Sequence, residues 1–313
     1  MQKTITIALA TYQGAKYLAE QLASIAAQTY PKWRLLVSDD GSTDGTRDII
    51  AEFATGFPQG QVSLVDGPAQ GATANFLHLT RHAPADSWFA YSDQDDVWHP
   101  DKLARAAAFL TGQNGPAAYA ARTTICDTDL TPLRPAPAYV RPLAFSNALI
   151  QACMPGNTLV TNSAALKILQ EGAPAALAAG VISHDWWVYQ LLSGAGAVLT
   201  RDRAQVLAYR QHPANVMGRN DTAKARAARF SMLTDGTFAG WLSQNQAALQ
   251  PVAHLLTPEN RALLTRFDAL RQLPGPAAMR EMIRMKLYRQ TTPGTIAVLG
   301  ATLMGRLRKS DVS

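Results

Sequence analysis

A buried strand that ends in three carboxylates constrains this chain more than any other stretch of it. Trp88-Phe-Ala-Tyr91 is an aromatic, apolar run with the length of a buried strand. Pro100 suits the first turn of a helix, and Leu103, Ala107 and Leu110 follow on one face. Between the two lie Asp93, Asp95 and Asp96. The carboxylates therefore sit at the C-terminal end of a strand, where open α/β sheets bind ligands. Carboxylates this close repel one another unless a cation joins them. Oxygen ligands suit Mg2+ or Mn2+, held through one or two carboxylates and the phosphates of a substrate. The competing reading is a solvated acidic loop that caps the next helix.

The preceding residues repeat the alternation. Thr4 to Ala10 reads as a first strand, Thr11-Tyr-Gln-Gly14 as a loop, and residues 15–28 as a helix with Leu18, Leu22 and Ile25 inward. Trp33 to Val37 is a second strand and runs into Ser38-Asp-Asp-Gly-Ser-Thr-Asp-Gly-Thr46, where Ser42 or Asp44 can cap a helix carrying Ile49, Ile50 and Phe53. Val62 to Val65 is a third strand, followed by a helix over 73–82 with Phe76 and Leu79 inward. Strands alternating with helices predict a mainly parallel sheet flanked by helices. Gly14 stands alone, and neither G-x-G-x-x-G nor G-x-x-x-x-G-K-[ST] occurs. A hydride-transferring dinucleotide enzyme and a P-loop NTPase are thereby disfavoured. Of Asp39 and Asp40, one is expected to bond loop amides, leaving the other to accept the imino N–H of a pyrimidine base.

Composition narrows the setting. With 313 residues, 47% of them hydrophobic, there is material for a large core. Cys126 and Cys153 lie far apart without a C-x-x-C, which suggests neither a disulfide framework nor a zinc site and fits a reducing cytoplasm. The N-terminus reads as neither a signal peptide nor a membrane span. The net charge of +6 is uneven: residues 219–313 hold 14 of the 29 Lys and Arg but only 6 of the 23 Asp and Glu. A protein that coats nucleic acid would be basic throughout, so no nucleic-acid partner is expected.

Ala10-Thr-Tyr-Gln-Gly14, Ser38-Asp-Asp-Gly-Ser-Thr-Asp-Gly-Thr46 and Asp93-Gln-Asp-Asp96 together resemble the N-terminal signatures of the family 2 inverting glycosyltransferases. Asp-Val-Trp-His-Pro-Asp-Lys-Leu103 resembles their bacterial rhamnosyltransferase-like branch. The resemblance implies the GT-A fold, a nucleotide-diphosphate sugar as donor (dTDP- or UDP-linked) and a D-x-D at Asp93-Gln94-Asp95. It also implies that Thr11 and Tyr12 line the base pocket. Asp40 would meet the base, Asp93 the ribose, and Asp95 the Mg2+ or Mn2+ that bridges the diphosphate. Gln13 departs from the family's usual Asn but keeps the amide.

Residues 117–125 read as a further strand, and Pro132, Pro135, Pro137 and Pro142 mark a surface loop. Met-Pro-Gly-Asn-Thr158 precedes the strand Leu159-Val160. The resemblance turns Gly156 and Asn157 toward sugar and acceptor, whereas local chemistry alone makes them a turn. Ser183 suits an N-cap for a helix over 184–193, with Asp185 in its first turn, where the helix end favours a carboxylate. The resemblance makes Asp185 the catalytic base and His184 a residue that orients or packs. A strand around Ala197 to Leu199 leads to the polar run Leu207 to Gly218. There the resemblance makes His212 a further metal ligand or diphosphate partner and Arg210 a group that offsets phosphate charge.

The resemblance covers about residues 3–218, giving a catalytic domain over 1–218 and a basic helical region over 219–313. Helices are expected over 222–234, 238–256, 258–272 and 276–290, then an apolar stretch over 295–304 too short to span a bilayer. The basic, apolar tail suits the interface of an anionic membrane, and it equally suits a bundle packed on the catalytic domain with a solvated face. The expected function is metal-dependent inverting transfer of a sugar, rhamnose in this branch, to a glycan or lipid-linked acceptor in bacterial O-antigen or capsule assembly. The enzyme would work in the cytoplasm, peripheral at the membrane if the tail binds there. A nucleotidyltransferase is disfavoured because the loop after the first strand has no Gly-rich, basic character. A catalytically inactive GT-A scaffold, tethered to a membrane, is the alternative from outside enzymology.

Overall fold

The computed structural model describes residues 2–212 and 231–309. One sheet organises the N-terminal two thirds. Strands β1 (Ile5–Thr11), β2 (Trp33–Asp39), β3 (Val62–Asp66) and β4 (Trp88–Ser92) lie parallel in the order β3-β2-β1-β4. All residues of β1 and β4 are buried, as expected of parallel strands covered on both faces. Helices α1 (Leu18–Ala26), α2 (Thr46–Ala54), α3 (Ala72–His82) and α4 (Lys102–Thr111) supply the crossovers. Because the four strands run the same way, the loops after Thr11, Asp39 and Ser92 open at one edge. The register fixes this, with Thr11 beside Asp39 and Leu9 beside Ser92.

Beyond β4 the sheet becomes mixed. β8 (Val160–Thr161) is antiparallel to both β4 and β6 (Ala117–Cys126), and β9 (Val198–Arg210) runs parallel to β6. Two short strands were not anticipated. β5 (Val97–Trp98) pairs antiparallel with β9, and β7 (Pro132–Pro135), inside the expected Pro-rich surface loop, pairs with β6. β9 is far longer than the strand expected around 197–199. The pairing with β6 shifts register after Arg201 and resumes at Gln205, so the strand continues on the far side of an irregularity and reaches Arg210. Arg210 therefore ends a strand rather than lying in a loop.

Helices α5 (Phe145–Ala148), α6 (Ser163–Ala178) and α7 (His184–Gly194) cover the β4 face, and a short 3-10 turn spans Gly156–Thr158. The C-terminal helices are α8 (Thr237–Leu249), α9 (Pro258–Leu270), α10 (Gly275–Arg284) and α11 (Thr292–Leu303). One apolar core runs from Phe89 and Tyr91 through Trp187 and Leu191 into Leu242, Phe267 and Met282. The two parts of the chain thus share a core. Arg271, fully buried, ties the tail together by donating from Nε to the Leu307 carbonyl (2.8 Å) and from Nη2 to the Ala239 carbonyl (2.7 Å). The helix expected over 222–234 lies outside the described residues except for Ser231–Thr234, which are helical. The expected boundary at 218 and 219 lies outside them too.

Candidate active site

Three loops meet at the C-terminal edge of the parallel strands. The first, after β1, is stitched to the second by side chains. Gly14 N–H donates to Thr46 Oγ1 (2.8 Å), Ala15 N–H to Asp44 Oδ2 (3.0 Å) and Gln13 N–H to Ser42 Oγ (2.9 Å). Asp44 also accepts from Thr46 N–H (3.2 Å) in a turn just ahead of α2, but the N-cap is Gly45 and no side chain makes a capping bond, so neither Ser42 nor Asp44 takes the capping role expected of it. Gln13 sits at φ 49°, a left-handed backbone, and its side-chain amide pairs both ways with Thr43.

Both aspartates of the second loop hold structure. Asp39 accepts from Ser42 N–H (2.9 Å), Ser42 Oγ–H (2.6 Å) and Thr11 Oγ1–H (2.9 Å). Burial by itself would raise its pKa, but these bonds, with Arg47, outweigh burial and hold the carboxyl below its ordinary value. Asp40 takes Ala69 N–H on Oδ1 (2.7 Å) and Gly71 N–H on Oδ2 (2.8 Å). Loop amides therefore engage both carboxylates rather than one, and each Asp40 oxygen keeps a second lone pair. Thr11 is buried, whereas Tyr12 is 57% exposed at the mouth of the cleft.

The third loop carries the acidic cluster. Gln94 links it to the first loop, accepting from Tyr12 N–H (2.9 Å) and donating to the Tyr12 carbonyl (2.9 Å). Gly14 makes this possible, because a Cβ there would lie 2.3 Å from Gln94 Oε1. β5 then places the cluster against β9. Pairing Val97 with Ala208 brings Asp95 and Asp96 across from Arg210 and His212. His212 Nε2 lies 2.7 Å from Asp95 Oδ2, and the His212 ring packs 5.0 Å from Tyr17. Arg210 is buried, donating to the Asp95 carbonyl (3.0 Å), the Thr128 carbonyl (2.6 Å) and Glu20 Oε2 (2.5 Å). Its charge reaches the site from behind Asp95. Asp96, with no exposed surface, accepts from Asn157 Nδ2 (2.7 Å) and, at 3.4 Å, from Arg210 N–H. Asn157 thus gives its amide to the cluster.

Asp185, at the start of α7, completes the arrangement. Its Oδ1 accepts from Trp186 N–H (2.7 Å) and its Oδ2 from Gly156 N–H (3.2 Å). Burial, then the charges of Asp95 and Asp185, push Asp93 up to about 7. Burial, then Asp95 and Asp93, push Asp96 well above the carboxylate range. Gly156 and Asn157, adjacent in one turn, bond Asp185 and Asp96 respectively, so the start of α7 lies beside the acidic loop although 185 is remote in sequence. His184 packs on Phe76 (4.0 Å) and Tyr91 (4.8 Å), and burial pushes it down to about 4, so its ring is neutral near pH 7. Gly156 lets that ring in: a Cβ there would lie 2.5 Å from His184 Nε2. Ser183 precedes α7 as expected, yet its side chain makes no capping bond.

The fit of a divalent cation can be judged on these residues. Among the described residues no three His, Cys, Asp or Glu side chains converge as a metal site. Asp95 and His212 offer two ligand atoms side by side, both largely buried. A hard cation held by two protein ligands and completed by diphosphate oxygens and water suits that set.

Residues 6–167 match the family described as glycosyl transferase family 2. The chain belongs to that family. It is a glycosyltransferase. It is 27% identical over 241 residues to the dTDP-rhamnosyl transferase RfbG of Shigella flexneri, covering 72% of this chain and 78% of the relative. The structure of S. aureus TarS in complex with UDP-GlcNAc superposes with TM-score 0.56 at 12% identity, covering 97% of this chain and 90% of that one. The mannosyltransferase PcManGT of Pyrobaculum calidifontis, in complex with GDP-Man and Mn2+, superposes with TM-score 0.52 at 18% identity over 98% and 86% of the two chains. These two likenesses carry the GT-A fold. Sequence reasoning missed Gln94 and Glu20, whose parts in the site depend on contacts remote in the chain.

Proposed function

We propose that this glycosyltransferase moves a sugar from a nucleotide-diphosphate donor to a hydroxyl of a glycan or lipid-linked acceptor, with inversion at the anomeric carbon. The observation that carries the reading is the turn at Gly156-Asn157, which bonds Asp185 at the start of α7 through the Gly156 N–H and Asp96 of the acidic loop through the Asn157 amide. In this reading Thr11, Tyr12 and Asp40 take the base, and Asp93 the ribose. Asp95 and His212 hold Mg2+ or Mn2+, which when bound supplies positive charge against the departing diphosphate. Asp185 takes the proton from the acceptor hydroxyl. Asp185 is oriented for this by the Trp186 and Gly156 amides, while neutral His184 backs it. Arg210, Gly156 and Asn157 shape the cleft from behind. The likeness to a dTDP-rhamnosyl transferase supports dTDP-rhamnose as donor and bacterial surface polysaccharide as destination, with UDP-sugars as the competing donors. The test is transfer from dTDP-rhamnose and a UDP-sugar panel to a hydroxyl acceptor, with the product's anomeric configuration read by NMR. Inversion from one of these donors is expected. Retention, or no consumption of any of them by folded protein, contradicts the reading.

The tail adds a place for the reaction. Ile283 on α10 and Leu299 on α11 line a groove of about 560 Å3 with Arg141, Lys286 and Tyr288. Ile296, Leu303 and Met304 stand exposed nearby in sequence, among Arg284, Arg306 and Arg308. No described helix is long and apolar enough to cross a membrane. Apolar side chains within a cationic surround match an anionic bilayer surface, which we infer to be the occupant of this face. Co-sedimentation with phosphatidylglycerol vesicles that Ile296→Glu with Leu303→Glu abolishes is expected, with little binding to phosphatidylcholine. Absence of binding to the anionic vesicles overturns the inference.

A further inference from the structure

Where the C-terminal helices meet the sheet domain, a buried cluster of amides stands in place of apolar side chains. At its centre is Asn147 of α5, fully buried. Asn147 Oδ1 accepts from Tyr189 Oη–H (2.8 Å), Cys153 Sγ–H (3.2 Å) and Gln290 Nε2–H (3.2 Å). Its Nδ2 donates to the Tyr288 carbonyl (2.8 Å) and, at 3.3 Å, to Gln151 Oε1. Gln290, between α10 and α11, is buried as well. Its Oε1 accepts from Arg141 N–H (3.0 Å), its Nε2 also reaches the Pro142 carbonyl (3.3 Å), and its backbone N–H donates to Gln151 Oε1 (2.6 Å). Buried amides add little stability over apolar side chains of the same size, but a satisfied network admits one arrangement of its members.

That arrangement reaches the site by two routes. The first is α7. The single turn of α5, Phe145–Ala148, is too short to hold its shape alone. α7 grips it: Trp186 Nε1 (2.7 Å) and Gln190 Nε2 (3.1 Å) donate to the Ala148 carbonyl, and Tyr189 Oη accepts the Ala144 N–H (3.0 Å). Tyr189 stands one turn along α7 from Asp185, on the same face of the helix. The second route is the chain itself. Gln151 and Cys153 lead into Gly156, whose N–H donates to Asp185 Oδ2 (3.2 Å). Asp185 is thus oriented by two segments that are both bonded to Asn147, and Asn147 is bonded in turn to Gln290.

We propose that Gln290 is a positioning residue for Asp185: through Asn147 it fixes α5, and through α5 the start of α7 and the Gly156 turn, so that the carboxylate meets the acceptor hydroxyl. It touches neither donor nor acceptor. The C-terminal helices then complete the acceptor side of the site. The proposal rests on the reading of Asp185 as the base.

The test is a kinetic double-mutant cycle of Gln290→Met with Asp185→Asn in the full chain. Methionine keeps the length of the side chain and removes its amide. Gln290→Met alone is expected to lower kcat on the order of tenfold, because a slightly displaced base loses its approach, while donor KM stays within about threefold of wild type. In the Asp185→Asn background the same change should cost less than about twofold, since no base is left to misplace. Tyr189→Phe takes one oxygen from the other end of the network and should give the same pattern, so it carries the test if Gln290→Met fails to fold. A residue that only stabilises the fold would lower Tm and leave kcat of the folded protein unchanged, or lower kcat equally in both backgrounds. Either result overturns the proposal, as does failure of both variants to fold. An Asp185→Asn variant within tenfold of wild type strikes the base reading, and this proposal with it. Wild-type kcat in Gln290→Met and Tyr189→Phe, beside a slow Asp185→Asn, strikes this proposal alone.

Discussion

Asp185→Asn is expected to lower kcat by on the order of a thousandfold, the range of a lost general base, while donor KM stays within about threefold. The asparagine keeps an oxygen to accept from Trp186 N–H, so the start of α7 should stay as it is. It cannot take a proton from the acceptor hydroxyl. The neutral ring of His184 will not substitute, because it is buried between Phe76 and Tyr91 and its pKa lies near 4. Single-turnover transfer at saturating donor and acceptor checks this. A variant within tenfold of wild type removes Asp185 as the base.

Asp95→Ala should cost as much for a different reason. It deletes one of the two side chains proposed to hold a cation and leaves His212 without the carboxylate 2.7 Å away. Stabilisation of the leaving diphosphate is worth several kcal/mol, so kcat/KM is expected to fall on the order of a thousandfold. The residual rate should no longer respond to added Mn2+. His212→Ala should keep a response but need more Mn2+ for half-maximal rate. Rates of the Asp95 variant that still climb with Mn2+ would move the cation to other ligands.

Much of the cleft was legible because its signals are local. Strand, acidic loop and helix follow one another at 88–110, and parallel strands must open their loops at one edge, so Thr11, Asp39, Asp40 and Asp93 gather without further information. The start of α7 was equally readable, since an N-terminal turn of that composition favours a helix. The rest depends on partners remote in the chain. β5 has two residues and no periodicity, yet it decides that Asp95 meets His212. Asn157 points its amide at Asp96 because the 3-10 turn before β8 lies against β4, which nothing in Pro-Gly-Asn-Thr announces. Lys102 looks from sequence like a solvated first-turn residue, and only the packing of α4 behind Trp98 buries it. Arg210 falls in a polar run that gives no sign of the strand it terminates.

The most direct test of the site is calorimetric titration of dTDP, UDP and GDP into the wild type and Asp95→Ala, with and without Mn2+. The wild type is predicted to bind dTDP or UDP in the presence of Mn2+, with binding much weakened when the metal is withheld and in the Asp95 variant. Equal binding by the two proteins, or no binding of any nucleotide diphosphate by folded wild type, would contradict a donor cleft built on Asp93 and Asp95.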